Sequence, residues 1–339
     1  MRQLLNTLYV TTPDSYLSKD GLNVVVSRDG KELLRIPIHN IESIITFGYI
    51  GASPGLMKLC SDNGVSLTFL SPQGRFIGHL NGATRGNVLL RKKQYEIFDN
   101  DEICLNLGKI IISAKIQNSR SILRRHIRDY GNNDALIFCS KRLEHMKHKA
   151  LSTTCLEDLR GIEGKAANIY FSVFNELILT QKDVFNFTER NRRPPRDEIN
   201  AMLSFVYTLI TNEMVSALET VGLDPYLGFM HAIRPGRPSL ALDLIEEFRG
   251  YLGDRLVLSL INRRQVKRND FIKQGDTVIM TDDCKKTIIS AWQKRKKDIT
   301  EHPYLKEKIP VGLLPYSQAM LLARYIRQDL NNYPVFLIL

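Results

Sequence analysis

The chain has 339 residues, and 47 basic against 36 acidic side chains give a net charge of +11 with histidine neutral. At 43% hydrophobic and 24% charged residues it can bury a sizeable core, which argues against global disorder and for two ordinary domains or one large one. No run approaches the roughly 18 to 20 apolar residues that span a bilayer, and Met1-Arg2-Gln3-Leu4-Leu5, soon followed by Pro13 and Asp14, does not read as a signal peptide, so a cytoplasmic protein is expected.

The first stretch reads as strands. Leu5 to Val10 alternates, and Tyr16-Leu17-Ser18 leads through Asp20-Gly21 into Leu22 to Val26. Asp29-Gly30 is a hairpin signal between that run and Leu33-Leu34-Arg35-Ile36. Ser53-Pro54 opens a short helix with proline in its first turn, between strands at Ile44 to Phe47 and Val65 to Leu70. Gln73 to Gly78 reads as a turn and a further strand. This spacing suggests a small β-sandwich or barrel-like domain over residues 1–84.

Near residue 85 the period becomes helical; Ile103, Leu107, Ile110, Ile111 and Ala114 would share one face. The expected class is therefore α+β, with a larger and mainly helical domain over residues 85–339. Residues 1–84 hold seven Lys/Arg and six Asp/Glu, so nearly all the positive excess belongs to the helical part. Such an excess suits a polyanionic partner, although a merely solvated basic surface would look the same. Arg192-Arg193-Pro194-Pro195-Arg196 interrupts the helices, and Asp197 can cap the one that follows, whose stripe is Ile199, Met202, Leu203, Val206, Leu209 and Ile210. Cys60, Cys104, Cys139, Cys155 and Cys284 are isolated, which argues against a disulfide framework or a zinc knuckle.

Two segments have the makings of a reaction centre. In Gly161-Ile162-Glu163-Gly164-Lys165, the glutamate is expected at a helix start, where the macrodipole favours its charge. The flanking glycines suit something that approaches the backbone closely. A plain first-turn glutamate is the simpler alternative. The second segment is Gly228-Phe229-Met230-His231, followed by Ser239-Leu240-Ala241-Leu242-Asp243-Leu244-Ile245-Glu246-Glu247-Phe248-Arg249. Ser239 is expected as N-cap, with Leu242, Ile245, Phe248 and Leu252 inward. Asp243, Glu246 and Glu247 would share a face and repel one another unless a cation compensates. An amphipathic helix with a solvated acidic face, beside a structural histidine, is the bland alternative. Together with Glu163, the histidine and carboxylates make an oxygen-rich set suited to Mg²⁺ or Mn²⁺. His145 and His148 have helical ligand spacing but lie among lysines, as a solvated face would. Lys294-Arg295-Lys296-Lys297 is a candidate phosphate-binding run, and Arg234, Arg237 and Arg249 are candidate phosphate ligands near the acids.

In order and spacing, Gly161-Ile162-Glu163-Gly164, Pro195-Arg196-Asp197-Glu198-Ile199-Asn200-Ala201-Met202-Leu203 with Tyr207, Gly222-Leu223-Asp224-Pro225, His231 and Arg237-Pro238-Ser239 through Arg249 resemble the CRISPR-associated integrase family. That family is the metal-dependent nuclease and transesterase subunit of spacer acquisition. Leu313-Leu314-Pro315 and Gln318 through Tyr333-Pro334 look most like its type I-C branch, with Val335 where a second proline is usual. The resemblance implies that Glu163, His231 and Glu246 ligate the metal, with Asp243 shaping the site or touching a second ion. It implies a reaction in which the 3′-hydroxyl of a short DNA fragment attacks a repeat phosphodiester. It also implies an asymmetric homodimer, two of which clamp a dimer of a smaller companion protein around DNA. The family's strand-splitting tyrosine is not assigned among Tyr9, Tyr16 and Tyr49. The competing readings are a non-catalytic DNA-binding scaffold and a general metal nuclease that does not join.

Overall fold

The chain opens in strands because its first segments carry alternating or β-branched runs between turn residues. The computed structural model describes residues 7–41, 43–48, 50–71, 76–80, 88–191 and 194–338. Leu5 and Asn6, Tyr49, the Gln73-Gly74-Arg75 turn, the expected boundary at 84/85 and the Arg192-Arg193 pair lie outside the described residues. In chain order the first part holds β1 (Thr7–Val10), β2 (Tyr16–Asp20), β3 (Asn23–Arg28), β4 (Lys31–Pro37), β5 (Ser43–Phe47), β6 (Gly51–Ala52), α1 (Pro54–Asn63), β7 (Ser66–Leu70) and β8 (Phe76–Leu80). Asp29 and Gly30 both take positive φ, 50° and 74°, as a two-residue hairpin turn demands, and Arg28 pairs with Lys31 across it. The Ser53 hydroxyl caps α1 by accepting from the Leu56 N–H.

Two four-stranded sheets result, β1-β5-β7-β8 and β4-β3-β2-β6. Leu17, Val24 and Val26 from one, Ile44 and Leu67 from the other, and Leu56 and Cys60 of α1 share a single core. The pairing is mixed: β1 with β5, β5 with β7 and β2 with β6 run parallel, the first two on either side of a strand whose onward connection to β7 includes α1.

The second part is built on α2 (Val88–Phe98), α3 (Asp101–Tyr130), α4 (Asp134–Ser152), α5 (Leu156–Phe171), α6 (Glu198–Val221), α7 (Ser239–Leu244) and α8 (Arg255–Asn262). After these come β9 (Phe271–Gln274), β10 (Thr277–Met280), α9 (Asp282–Lys296), β11 (Ile299–Glu301), β12 (Lys308–Pro310) and α10 (Leu314–Ile326). Side chains of Asn100, Asn133 and Asp197 cap α3, α4 and α6 by accepting backbone N–H bonds. Leu107, Ile111, Ala114 and Leu123 bury the inner stripe of α3. Two short antiparallel hairpins, β9–β10 and β11–β12, interrupt the helices where no strand was expected. α6 is long and apolar enough to cross a membrane, an exception to the sequence reading, but most of it is buried inside the protein as a core helix.

By packing, the described residues within 1–86 and 293–298 form one unit, and those within 87–292 and 299–339 form the other. The last turn of α9 thus groups with the strand-rich unit, in which the Lys296 ammonium donates to Thr7 Oγ1 at 3.3 Å.

Candidate active site

Glu163 does not sit at a helix start. α5 begins at Leu156, so the residue lies about two turns inside it, and the macrodipole contributes little there. Its compensation is a cation from a neighbouring helix: the Lys115 ammonium of α3 donates directly to Glu163 Oε1. A side-chain carbon added at Gly161 or Gly164 would meet nothing within 4 Å, so packing within the chain does not demand these glycines.

His231 comes from an irregular loop that Asp243 holds in place. The N–H groups of Phe229 and Met230 donate to Asp243 Oδ2 at 2.8 and 3.0 Å, and the His231 N–H donates to Oδ1 at 2.9 Å. His231 Nδ1 lies 2.5 Å from the same Oδ1, and Asp243 is fully buried. The loop comes so close that a Cβ at Gly228 would fall 2.6 Å from Asp243 Oδ2, which explains the glycine. From α5, Arg160 fixes the far side by donating to the Met230 carbonyl at 2.5 and 3.1 Å. An ionised carboxylate only accepts, so it places the imidazole proton on Nδ1 and leaves Nε2 as an acceptor. Nε2 faces Glu246 Oε1 at 3.9 Å.

The three acids do not share a face. After α7 the chain tightens to a 3₁₀ turn over Ile245–Glu247 and then widens to a π turn over Arg249–Asp254, the kind of irregularity that is frequent at functional sites. Asp243, Glu246 and Glu247 are all buried and aim at different partners, so neither mutual repulsion nor a solvated acidic face describes them. Ser239 is not a cap either; its hydroxyl donates to the Ala232 carbonyl. Glu246 Oε2 is 2.7 Å from Lys115 Nζ and 3.0 Å from Arg249 Nε. Neither approach has the direction of a hydrogen bond, so this buried oxygen has charges beside it but no aligned donor. Burial alone would raise the Glu246 carboxyl, yet the charges of Arg249 and Lys115 outweigh it and hold the group well below the usual carboxylate range. Burial likewise works against a charged Lys115, and Glu246 and Glu163 overcome it and raise the ammonium.

A cavity of about 370 Å³ opens beside these groups, with Lys115, Glu163 and Arg249 on its wall together with Tyr170, Tyr207, Arg190 and Asp254. The Arg249 guanidinium lies 4.7 Å from the centre of the Tyr207 ring, a cation–π contact that fixes it. Tyr207 donates to Asp254 Oδ1 at 2.5 Å. The ring fits because residue 253 is glycine: a Cβ there would lie 2.5 Å from it.

Among the described residues no three His, Cys, Asp or Glu side chains stand close enough together to hold an ion as they are. The donors nevertheless fit a hard divalent cation. Two carboxylates already share one positive charge, Glu246 Oε2 lacks a directed donor, and the imidazole presents Nε2 with a carboxylate behind it, as metal-binding histidines do. Sequence reasoning missed Lys115, Arg160 and Asp254. Lys115 did leave a signal, since it sits four residues after Ile111 on the inner stripe of α3, where a lysine demands a partner.

The profile of the family described as "CRISPR associated protein Cas1" matches residues 8–294. The chain belongs to the Cas1 family. It is 48% identical to "CRISPR-associated endonuclease Cas1 1" of Chlorobaculum tepidum, over 99% of each chain. Its fold matches a solved CAS1 protein from Thermotoga maritima with a TM-score of 0.84 at 23% identity, covering 98% of this chain and 99% of that one. A Cas6-RT-Cas1–Cas2 complex gives 0.86 at 20% identity, over 100% of this chain and 37% of the other. A casposase bound to integration product gives 0.84 at 22%, over 96% and 92%.

In this Cas1-family chain the candidate DNA contacts fare unequally. Arg249 lies at the site, Arg234 is exposed on the loop after His231, and Arg237 is half-buried. Of the basic run, Lys294 and Lys297 are exposed, while Arg295 is half-buried and 3.8 Å from Asp298. Lys296 is only 1% exposed, so it is not a surface phosphate ligand. His145 and His148 are exposed on α4.

Proposed function

We propose that the chain is a DNA endonuclease and integrase of CRISPR adaptation that joins the 3′-hydroxyl of a short DNA fragment to a repeat phosphodiester. The reacting groups would gather at Glu163, His231 and Glu246. The observation that carries this reading is that two carboxylates from different elements share one cation at the wall of a cavity also lined by guanidiniums. The same three residues would hold Mg²⁺ or Mn²⁺, which when bound lowers the pKa of an attacking hydroxyl and stabilises a leaving oxygen. Asp243 keeps the His231 proton on Nδ1, so that Nε2 remains a ligand. Arg249, held against Tyr207, can offset phosphate charge as it develops. No protein nucleophile is needed, because the attacking oxygen belongs to DNA.

The family membership and the endonuclease name of the 48% identical relative support DNA as substrate, and so does the likeness to a casposase bound to its integration product. A smaller companion protein, a homodimer, the type I-C branch and a cytoplasmic setting belong to the same proposal. The companion draws on the likeness to a Cas1–Cas2 assembly, and the homodimer and branch on the family resemblance.

The test uses a labelled duplex fragment, a supercoiled plasmid and Mn²⁺ or Mg²⁺. Fragments with 3′-hydroxyl ends should be joined, and fragments with 3′-deoxy ends should bind equally well and not be joined. Hydrolytic nicking should survive with both. Joining that persists with 3′-deoxy ends overturns the mechanism.

A further inference from the structure

Lys115 is an unusual residue to find between two metal-ligand candidates. Its ammonium donates to Glu163 and lies 2.7 Å from Glu246 Oε2. Its side chain is only 14% exposed. Lys115 and Arg249 stand against Glu163 and Glu246 charge for charge, with Asp243 behind His231 as a further carboxylate. A divalent ion on the same oxygens would add two positive charges within a few ångströms of both cations, more than Asp243 offsets, and the repulsion is relieved when one cation moves away. Arg249 is held against the Tyr207 ring. Lys115 has a flexible four-carbon stem and already lines the cavity into which it can swing.

We infer that Lys115 is a built-in counter-ion, which holds Glu163 and Glu246 in place in the metal-free protein and yields its position when a divalent ion binds. This rests on the metal reading proposed above. It makes Lys115 a positioning residue whose charge competes with the metal.

The test is a Mn²⁺ titration of the full chain, followed by the loss of the free-ion electron paramagnetic resonance signal and by thermal melting, on wild type, Lys115→Met and Lys115→Arg. Lys115→Met should bind Mn²⁺ roughly tenfold more tightly than wild type. Without metal it should melt at a lower temperature, and Mn²⁺ should raise its melting point more than it raises that of wild type. Lys115→Arg, which keeps the charge, should bind Mn²⁺ no more tightly than wild type. If Lys115→Met does not fold without metal, purification in Mn²⁺ should recover it, and failure to recover overturns the inference. Equal or weaker Mn²⁺ binding by Lys115→Met also overturns it while leaving the metal site standing. A wild-type protein that binds no Mn²⁺ would instead sink the metal reading itself.

Discussion

Glu246 and Glu247 are consecutive and both buried, yet they live in opposite chemistries. Glu246 is surrounded by cations at short distance, and one oxygen has no directed hydrogen bond. Glu247 meets neutral donors: Gln318 Nε2 at 3.1 and 3.2 Å, the Tyr333 hydroxyl at 2.6 Å and the Phe336 N–H at 2.5 Å. Burial raises its carboxyl to about 7, with the hydrogen bonds from Tyr333, Phe336 and Gln318 pulling the other way. α3 serves both centres, giving Lys115 to the first and Asn118 to the second. Asn118 donates to the carbonyls of Glu247 and Phe336 at 2.8 and 2.9 Å and accepts from the Ile338 N–H. Directed bonds to neutral donors make a permanent anchor, here for the segment 333–338. Charge contacts in which one lysine on a flexible stem serves two carboxylates make a centre whose cation can be exchanged.

Glu247→Ala leaves the Tyr333 hydroxyl and the Phe336 N–H without their acceptor, while Gln318 keeps Tyr333 and Pro334 as partners; at about 1 to 3 kcal/mol per orphaned donor, urea unfolding should show a loss of about 4 kcal/mol. A loss below about 1 kcal/mol would mean that Glu247 does not hold the tail.

Asp254 sharpens the contrast, because it too is raised, from 3.8 to about 6, chiefly by burial and against the Tyr207 hydrogen bond. A carboxyl raised on folding keeps its proton to a higher pH in the folded chain than in the unfolded one. Its contribution is therefore full below about pH 3.8 and is lost as pH rises to about 6. That window amounts to about 3 kcal/mol. Asp254→Asn should lack this fall when the two proteins are unfolded in urea at pH 4 and at pH 7, and parallel profiles would contradict the assignment.

The smallest effect belongs to Tyr333→Phe, which removes the hydroxyl that donates to Glu247 and accepts from Gln318. It should cost about 2 kcal/mol while leaving Mn²⁺ affinity unchanged, since the anchor and the exchangeable centre share no ligand. A shift in affinity would show that the two centres are coupled.

Local chemistry was legible where it is self-contained. Asp29-Gly30, Ser53-Pro54 and Asp197 act within a few residues of themselves, and each does what its neighbours demand. Glu163 was legible as a residue but not in its place. Helix start signals at Cys155 and Leu156 are weak, and two glycines two turns later look more like a start than an interior. The acids were misread as a common face because that argument assumes one unbroken helix, and the 3₁₀ and π turns re-aim each side chain. Lys115 is 48 residues from Glu163 along the chain, so no spacing rule joins them. The hairpins β9–β10 and β11–β12 are three or four residues per strand, too short for periodicity to speak.

The most direct test of the centre is Glu163→Gln, which keeps the shape of the side chain and an acceptor for Lys115 but removes the charge and the ligand. Measured as the rate of joining a labelled 3′-hydroxyl duplex to a plasmid in Mg²⁺, activity should fall about a hundredfold or more, with duplex affinity close to wild type. Joining at the wild-type rate would contradict the assignment of Glu163 to the reaction centre.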